Sequence, residues 1–216
     1  MTVLALFDLD HTLLNGDSDQ LWGDFLREKA WVGPEYQQQK DRYYQDYLDG
    51  TLDYPSFIRF VLAPLKGRPL DELHRLRHEF STRFIAPQLR DAGIAAVREH
   101  QHAGHHVALI TGSNRFLAEA SALHLQITTV LATEPVILDQ QYTGEMSGEP
   151  CYREGKIWHL EQFLSRSGQQ PETIFFYSDS HNDLPLLSKV SHPHVVCPDP
   201  VLHKVASEKR WPILQW

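Results

Sequence analysis

Short runs of apolar residues alternate along the chain with segments in which apolar residues recur at every third or fourth position. The strongest runs are residues 3–7, 106–110 and 173–177, and weaker runs lie at 129–132 and 194–197. A short run that is apolar on both faces is typical of a strand buried in a parallel sheet. Because helical patterns separate the runs, the sequence predicts an α/β fold with a parallel sheet and crossover connections.

About a hundred residues separate the first two strong runs, far more than one crossover connection requires. The apolar spacing within this interval predicts four helices, around 21–26, 36–48, 57–62 and 70–80, with Gly33-Pro34 ending the first. We therefore predict a helical cap inserted after the first strand, residues 15–87, which we call the cap segment. The core would then comprise residues 1–14 and 88–216. A β-hairpin is predicted within 135–146, around Asp-Gln-Gln at 139–141.

Composition narrows the possible functions. A net charge of −8 argues against a nucleic-acid partner, and no cluster of Lys and Arg offsets it. The chain has no apolar stretch near the roughly 20 residues of a membrane span and no basic leader at its start, so a cytoplasmic location without membrane association is expected. Sequence leaves a monomer and a homodimer equally open.

Acidic and hydroxyl side chains follow the strong strands. Asp8-Leu9-Asp10-His11-Thr12 comes directly after the first strand, and Thr111-Gly112-Ser113-Asn114 follows the second. Ligands bind beyond the carboxyl ends of parallel strands, where one carboxylate could attack phosphorus while the other moves a proton. The alternative for each motif is a simple capping or turn role.

Two further signals come later in the chain. Ser178-Asp179-Ser180-His181-Asn182-Asp183 follows the third strand, and its acids suit Mg²⁺, which prefers a few carboxylates with water and phosphate oxygens. Lys156 opens an amphipathic helix, where an isolated lysine is usually a solvated charge.

The order of these motifs resembles that of the haloacid dehalogenase superfamily. The order is Asp-x-Asp-x-Thr, then a strand ending in Thr, then a Lys, then a strand followed by Asp-x-x-x-Asp. The match spans nearly the whole chain, and the ordered set is specific although each member is weak. An acid at Asp10 favours the phosphatases of that superfamily, because dehalogenases have no alcohol leaving group to protonate.

The resemblance implies a Rossmann-like, doubly wound parallel sheet. It also implies an Mg²⁺-dependent phosphatase that works through an aspartyl-phosphate intermediate. It implies Asp8 as the nucleophile and Asp10 as the acid and then the base. Thr111 would bind a phosphoryl oxygen, and Lys156 would stabilise the charged intermediate. The implied metal ligands are Asp8, the backbone carbonyl of Asp10, and Asp179. The residues implied around the phosphate and the metal are Gly112, Ser113, Asn182 and Asp183, the last orienting either the metal shell or Lys156.

The cap segment resembles that of the subgroup containing phosphoserine phosphatase, which closes over small substrates. The resemblance places Asp17 where a carboxylate holds the substrate amine, and an N-cap role for Asp17 is equally consistent with the sequence. His11 is expected to line the entrance. Val61 stands where that subgroup has an arginine for the substrate carboxylate, and the nearby Arg59 points to another helix face.

The resulting prediction is a small phosphorylated amine without a carboxylate, best matched by histidinol phosphate, which would be hydrolysed to histidinol. Phosphoserine or another small metabolite remains an alternative, as does transfer of phosphate to an acceptor other than water. An alternative of a different class is a signalling or scaffold domain phosphorylated on aspartate, although such domains lack the cap segment.

Two clusters are given packing roles in preference to binding roles. His100, His102, His105 and His106 straddle a helix end and a strand, so their side chains should diverge and not hold zinc. The tyrosines between Tyr36 and Tyr47 have helical spacing, which favours packing over stacking on a substrate ring.

Overall fold

A seven-stranded sheet in the order β4-β3-β2-β1-β5-β6-β7 forms the centre of the computed structural model, which describes residues 2–216. Neighbouring strands are parallel except β3 and β4, which are antiparallel. The strands are β1 (Val3–Phe7), β2 (His106–Asn114), β3 (Thr129–Leu138), β4 (Gln141–Ser147), β5 (Thr173–Ser178), β6 (His192–Val196) and β7 (Ile213–Leu214).

The predicted α/β class and parallel sheet are confirmed. β1 has the predicted bounds, whereas β2 extends four residues further than the apolar run, through the polar Thr-Gly-Ser-Asn segment. The predicted hairpin is also confirmed, as β3 and β4. Its turn consists of Asp139 and Gln140, whose φ angles of 48° and 60° match the left-handed pair that two-residue hairpin turns favour.

Helices connect the strands and cover both faces of the sheet. The helices are α1 (Ser18–Glu28), α2 (Pro34–Leu48), α3 (Tyr54–Leu62), α4 (Leu70–Phe80), α5 (Asp91–His102), α6 (Arg115–Ala122), α7 (Glu154–Ser167), α8 (Leu184–Leu187) and α9 (Pro200–Lys209). One predicted boundary is wrong: α1 ends at Glu28, and Pro34 instead begins α2 at a position where a missing N–H costs nothing. Within residues 2–216, every helix is too short or too polar to cross a bilayer.

Aromatic packing joins the cap segment to the core. Trp22 of α1 contacts Phe80 of α4 at 5.0 Å and Phe116 of α6 at 5.5 Å between ring centroids. All three side chains are fully buried or nearly so. Helices α1 and α4 therefore share one hydrophobic core with the sheet-covering helix α6, while division of the chain at residues 15 and 87 stays a prediction.

The histidine cluster has a packing role at its most buried member. His100 lies against Phe7 in an edge-to-face contact and makes a 3.0 Å hydrogen bond with the Tyr177 hydroxyl. Its other ring nitrogen is 2.7 Å from Nδ1 of His105, so the predicted divergence of the histidine side chains is wrong for this pair. His100 thus supports the ends of β1 and β5, immediately before the loops that carry Asp8 and Asp179.

Candidate functional site

Three adjacent strands bring the predicted motifs to one edge of the sheet. β1 lies between β2 and β5, and all three run parallel, so their carboxyl ends finish on the same side. The backbone N–H of Asp8 donates to the Tyr177 carbonyl at 2.9 Å, which extends the pairing of β1 and β5 into the first motif. Asp8, Asp179 and the last residues of β2, which begin at Thr111, therefore lie at neighbouring strand ends.

Lys156 lies at the centre of a buried ion triad. Its Nζ is 2.8 Å from Oδ1 of Asp8 and 2.7 Å from Oδ2 of Asp183, and all three residues are at most 6% exposed. The Ser178 hydroxyl also donates to Oδ2 of Asp183, at 2.7 Å. Of the two roles left open for Asp183, this geometry favours orientation of Lys156 toward Asp8.

The electrostatics of the triad follow from its burial. Removal from water raises the pKa of Asp8 to about 7, against the opposing effect of Lys156. Burial by itself lowers the pKa of Lys156, but Asp183 and Asp8 outweigh it and hold that pKa above its usual value. Lys156 therefore stays protonated beside a carboxylate that needs a cation to remain ionised.

Asp10 is held by two short hydrogen bonds. Ser18 N–H donates to Oδ1 at 2.6 Å, and the Ser113 hydroxyl donates to Oδ2 at 2.6 Å. Burial, with a further effect from Asp17, raises the pKa of Asp10 to about 6. A carboxyl group that titrates near neutrality and has a fixed orientation is suited to general acid–base chemistry.

The second motif, residues 111–114, contributes three of the residues that line the pocket. Thr111 is buried, and its hydroxyl accepts from the Ser113 N–H at 3.1 Å, which stabilises the local turn of the chain. Asn114 caps α6 by accepting from the Leu117 N–H. Thr111, Gly112 and Ser113 all line the pocket described below, and their predicted contacts with phosphate remain predictions.

The Asp8 and Asp179 carboxylates have the chemistry of magnesium ligands. Asp179 is buried, and burial followed by the neighbouring Asp8 charge raises its pKa well above the usual range. In residues 2–216 no three His, Cys, Asp or Glu side chains group together as a metal site. Two carboxylates nevertheless suffice for Mg²⁺, which keeps several waters and takes phosphate oxygens, and a divalent cation would relieve their mutual repulsion.

Thr12 positions Asp179, and the sequence had given it no separate role. Its hydroxyl donates to Oδ1 of Asp179 at 2.9 Å and accepts from the Asp179 N–H at 3.0 Å. Thr12 has no exposed surface. The only signal for this contact was its place in the first motif, because its partner is 167 residues away in sequence.

Asn182 is the remaining predicted residue of the third motif. Its Oδ1 accepts from the Tyr152 hydroxyl at 3.1 Å and from Nε of Arg153 at 3.0 Å. Its predicted contact with phosphate remains a prediction, although the residue lines the same pocket as Asp8.

Asp17 and His11, the two predicted specificity residues, occupy different places. Asp17 is the N-cap of α1, with Oδ1 accepting from the Gln20 N–H at 2.8 Å, and it also lines the pocket. His11 has a left-handed backbone (φ 56°) and lies in an adjoining cleft with Arg90 and Asp199. Both predicted specificity roles stay predictions.

Most of the motif residues share one pocket with about 640 Å³ of empty space, bounded by the core loops and by helices α1–α3. Asp179 lines the adjoining cleft with His11. Lys156 is the only basic lining residue of the shared pocket within residues 2–216. Arg59 is largely exposed near Glu145, and Val61 is buried in the core, so neither faces the pocket. The aromatic lining residues are Tyr43, Tyr44, Tyr47, Tyr54, Phe57 and Tyr152.

The tyrosine prediction is therefore incomplete for part of the cluster. Tyr36 and Tyr43 both pack on Phe60 as expected, but Tyr43, Tyr44 and Tyr47 also line the pocket. A helical stripe of aromatic residues looks the same in sequence whether it faces a core or a cavity.

Three contacts close the cap segment over the core. The Tyr54 hydroxyl donates to the Gly112 carbonyl, and the Tyr47 hydroxyl donates to the Ser180 hydroxyl at 3.0 Å. Nη2 of Arg153 donates to the Gly50 carbonyl at 2.7 Å. The first contact reaches the end of β2 and the other two reach loops of the core at the same sheet edge, so the pocket is covered in this conformation.

Comparison with known proteins gives consistent matches. A family model for haloacid dehalogenase-like hydrolase matches residues 5–188, which include every site residue described above. The chain is 39% identical to a histidinol-phosphatase of Neisseria meningitidis over the full length of both. It is 31% identical to a phosphoserine phosphatase of Mycobacterium tuberculosis, over 99% of this chain and 70% of that protein. A solved structure of a protein with unknown function from Bordetella pertussis Tohama I is 36% identical, with a TM-score of 0.93 over 99% of this chain and 98% of that one.

Proposed function

Because the chain belongs to the haloacid dehalogenase-like hydrolase family and is a phosphatase of that family, we propose that it is an Mg²⁺-dependent enzyme for a small phosphorylated amine, best represented by histidinol phosphate. The observation that carries the choice of substrate is the charge pattern of the pocket. It combines several carboxylates and aromatic rings with a single cation, Lys156, which is already bonded to Asp8 and Asp183. Such a pocket favours a positively charged end on the substrate.

Asp8 attacks phosphorus in the proposed first step. Lys156 directs the Asp8 carboxylate and offsets its repulsion of an anionic substrate. A bond forms between Asp8 and phosphorus as the bond from phosphorus to the ester oxygen breaks, which gives an aspartyl phosphate. Thr111 and Lys156 then stabilise the charge on the phosphoryl oxygens, since positioning and electrostatics supply most of the acceleration in phosphoryl transfer.

Asp10 manages the protons in both steps. In its protonated form it gives a proton to the ester oxygen as the alcohol leaves, and as a carboxylate it then takes one from the water that attacks the aspartyl phosphate. Ser18 and Ser113 hold both oxygens of Asp10, so its direction is set before substrate arrives. Phosphate leaves and Asp8 is regenerated.

Asp8 and Asp179, with the backbone carbonyl of Asp10, would hold the proposed magnesium ion. When bound, Mg²⁺ supplies positive charge to a phosphoryl oxygen and lowers the repulsion between substrate and nucleophile. Asp179 is kept in place for this role by the two hydrogen bonds with Thr12.

Substrates with a carboxylate are disfavoured by the same pocket. Binding phosphoserine would remove its carboxylate from water, and within residues 2–216 no arginine lines the pocket to compensate for that loss. The amine and imidazole of histidinol phosphate instead match the acidic and aromatic lining. The similarity to the Neisseria meningitidis histidinol-phosphatase supports the same choice.

We expect kcat/KM for histidinol phosphate to exceed that for phosphoserine by about 100-fold or more, because a buried carboxylate without a partner is costly. The measurement is release of inorganic phosphate from both compounds, with Mg²⁺ and with a chelator. Chelation should abolish release and added Mg²⁺ should restore it. A clear preference for phosphoserine would overturn the proposed substrate and leave the phosphatase chemistry standing.

Thr12→Val should weaken Mg²⁺ binding. The substitution keeps the size of the side chain but removes both hydrogen bonds with Asp179, so the Mg²⁺ concentration for half-maximal activity should rise about tenfold. With saturating Mg²⁺, kcat should stay within a few-fold of wild type. Thr82→Val is the matched control, because that exposed threonine donates to a helical carbonyl far from the site. An unchanged Mg²⁺ requirement in Thr12→Val would contradict the positioning role.

A phosphotransferase and a phosphorylated signalling domain remain the competing functions. The first would form a new phosphate ester when small alcohols are added. The second would accumulate stable phosphoprotein with little release of phosphate. The phosphate-release assay separates both from a hydrolase.

A further inference from the structure

Asp19 is a pocket carboxylate without an adequate partner in the protein. It lies in the first turn of α1, is 8% exposed, and lines the pocket that contains Asp8. In the part of the chain that the structure describes, its Oδ1 is buried and has no hydrogen-bond partner. Its Oδ2 lies 3.5 Å from the Ser113 hydroxyl, the long limit of a hydrogen bond.

The Ser113 hydroxyl cannot satisfy Asp19 as well as Asp10. A serine hydroxyl has one proton, and the contact with Oδ2 of Asp10 is much the shorter, at 2.6 Å. Ser113 therefore donates to Asp10, which leaves Asp19 with no effective donor. Burial, followed by the Asp17 and Asp10 charges, raises the pKa of Asp19 well above its usual range, against smaller opposing effects of Ser113 and Lys40.

Nearby cations are already bonded elsewhere. Nζ of Lys40 donates to the Gln20 carbonyl at 3.0 Å and to Asp24 at 3.1 Å. Lys156 lies between Asp8 and Asp183. Neither lysine makes a hydrogen bond to Asp19, although the Lys40 charge acts on it from a distance, so a cationic ligand in the pocket is the partner that can bond to Oδ1.

Asp17 is less available than Asp19 for that ligand. One of its oxygens accepts from the Gln20 N–H as the N-cap of α1. That bond stabilises the helix end, so Asp17 already has a structural partner whereas Asp19 has none.

The surroundings of Asp19 define the ligand. The Ser113 hydroxyl contacts Asp19 at 3.5 Å and Asp10 at 2.6 Å, so the two carboxylates lie on either side of one hydroxyl group. Asp10 is the group proposed to protonate the ester oxygen, which puts a cation bound to Asp19 close to that oxygen. Aromatic side chains line the same pocket, and their faces favour positive charge; these include Tyr43, Tyr54 and Phe57.

We propose that Asp19 binds the protonated amine of the substrate and is the main determinant of specificity for phosphate esters whose amine lies near the ester oxygen. The inference rests on the proposed phosphatase function and deepens it. The substrate then supplies the N–H donors that Asp19 lacks, and it places its ester oxygen beside Asp10.

The test compares amines with neutral analogues of the same shape. The first pair is histidinol phosphate and 3-(imidazol-4-yl)propyl phosphate, which lacks only the amine. The second pair is 2-aminoethyl phosphate and propyl phosphate. The amine preference is the ratio of kcat/KM within a pair, and p-nitrophenyl phosphate reports hydrolysis that needs no amine.

Asp19→Asn should lower the amine preference about 10- to 100-fold, the usual loss when a charged hydrogen bond is replaced by a neutral one. Asp17→Asn, which keeps a good N-cap, tests the rival assignment of the amine to Asp17 and should change the preference less than Asp19→Asn does. The matched control is the exposed Asp41→Asn on α2, which should change the preference by less than about threefold. Without substrate, Asp19→Asn should also unfold at a higher temperature than wild type, because it removes an unpaired buried charge.

Each outcome decides a different question. An amine preference retained in Asp19→Asn, or lost in Asp17→Asn instead, overturns the role of Asp19. A lower unfolding temperature in Asp19→Asn with the preference retained shows a structural role and also overturns it. Hydrolysis of p-nitrophenyl phosphate without any amine preference in the wild type defeats this inference but not the phosphatase. Failure to hydrolyse any of these esters defeats the proposed function itself.

Discussion

Replacing Asp8 with asparagine is expected to lower kcat for every phosphate ester by at least about 10⁴-fold. An amide is not a nucleophile toward phosphorus, and the proposed route has no second group that forms the covalent intermediate. The measurement is steady-state phosphate release from histidinol phosphate and from p-nitrophenyl phosphate, since loss on both shows that chemistry and not substrate recognition has failed.

The Asp8→Asn variant should fold normally. Burial raises the pKa of the Asp8 carboxyl to about 7, so the protein already disfavours the charged form and a neutral amide of the same shape is tolerated. Its unfolding temperature should fall no further than that of Asp183→Asn, because Lys156 then faces a neutral amide at position 8 but keeps its ion pair with Asp183. Asp139→Asn is the matched control, because Asp139 has a left-handed backbone in an exposed turn where asparagine fits well.

A second observation makes the Asp8 prediction specific. Acid-quenched wild-type enzyme should carry phosphate on the peptide that contains Asp8, detectable by mass spectrometry, and the asparagine variant should not. Phosphate on another peptide, or more than about one per cent of wild-type activity in the variant, would show that another residue is the nucleophile.

The sequence predicts the position of the site better than its internal contacts. Position follows from local information: β1 is a continuous apolar run that stops at Asp8, and parallel strands finish at one edge. The hydrogen bonds between Thr12 and Asp179 and between Lys156 and Asp183 depend on distances between remote segments, which apolar periodicity does not contain.

Two features of the cap segment show the same limit of prediction from the sequence. Helical spacing predicts that Tyr43, Tyr44 and Tyr47 share a face, but it cannot distinguish a face against the core from one against a cavity. Asp19 is two residues from the predicted Asp17, and no local sequence pattern shows which of the two carboxylates caps the helix. The structure separates them because hydrogen bonds can be assigned to individual oxygens.

Replacing Lys156 with methionine should damage both stability and activity. The variant leaves the buried Asp8 and Asp183 carboxylates without the ammonium between them, and loss of one partner from a buried ion pair costs about 3–5 kcal/mol of unfolding free energy. It should also lower kcat by about 10²- to 10³-fold, because the phosphoryl charge loses its fixed cation. Urea unfolding and phosphate release measure the two effects.

The stability loss in Lys156→Met should grow as pH rises. Burial holds the pKa of Asp8 above its usual value, and Lys156 lowers it, so removing the lysine raises that pKa further. A carboxyl whose folded pKa lies above its unfolded pKa contributes stability at low pH that is lost as pH rises through the folded value. Unfolding free energies of wild type and variant should therefore diverge as pH rises above about 7.

The double variant Lys156→Met with Asp183→Asn separates the structural role of Lys156 from its catalytic one. Removing the second carboxylate relieves the repulsion, so most of the lost unfolding free energy should return, while kcat should stay as low as in Lys156→Met. Asp183→Asn alone should lose about 1–3 kcal/mol, because the Ser178 and Lys156 donors then face a neutral amide. If activity returns together with stability in the double variant, Lys156 serves only to neutralise Asp183, and stabilisation of the phosphoryl group must come from other residues.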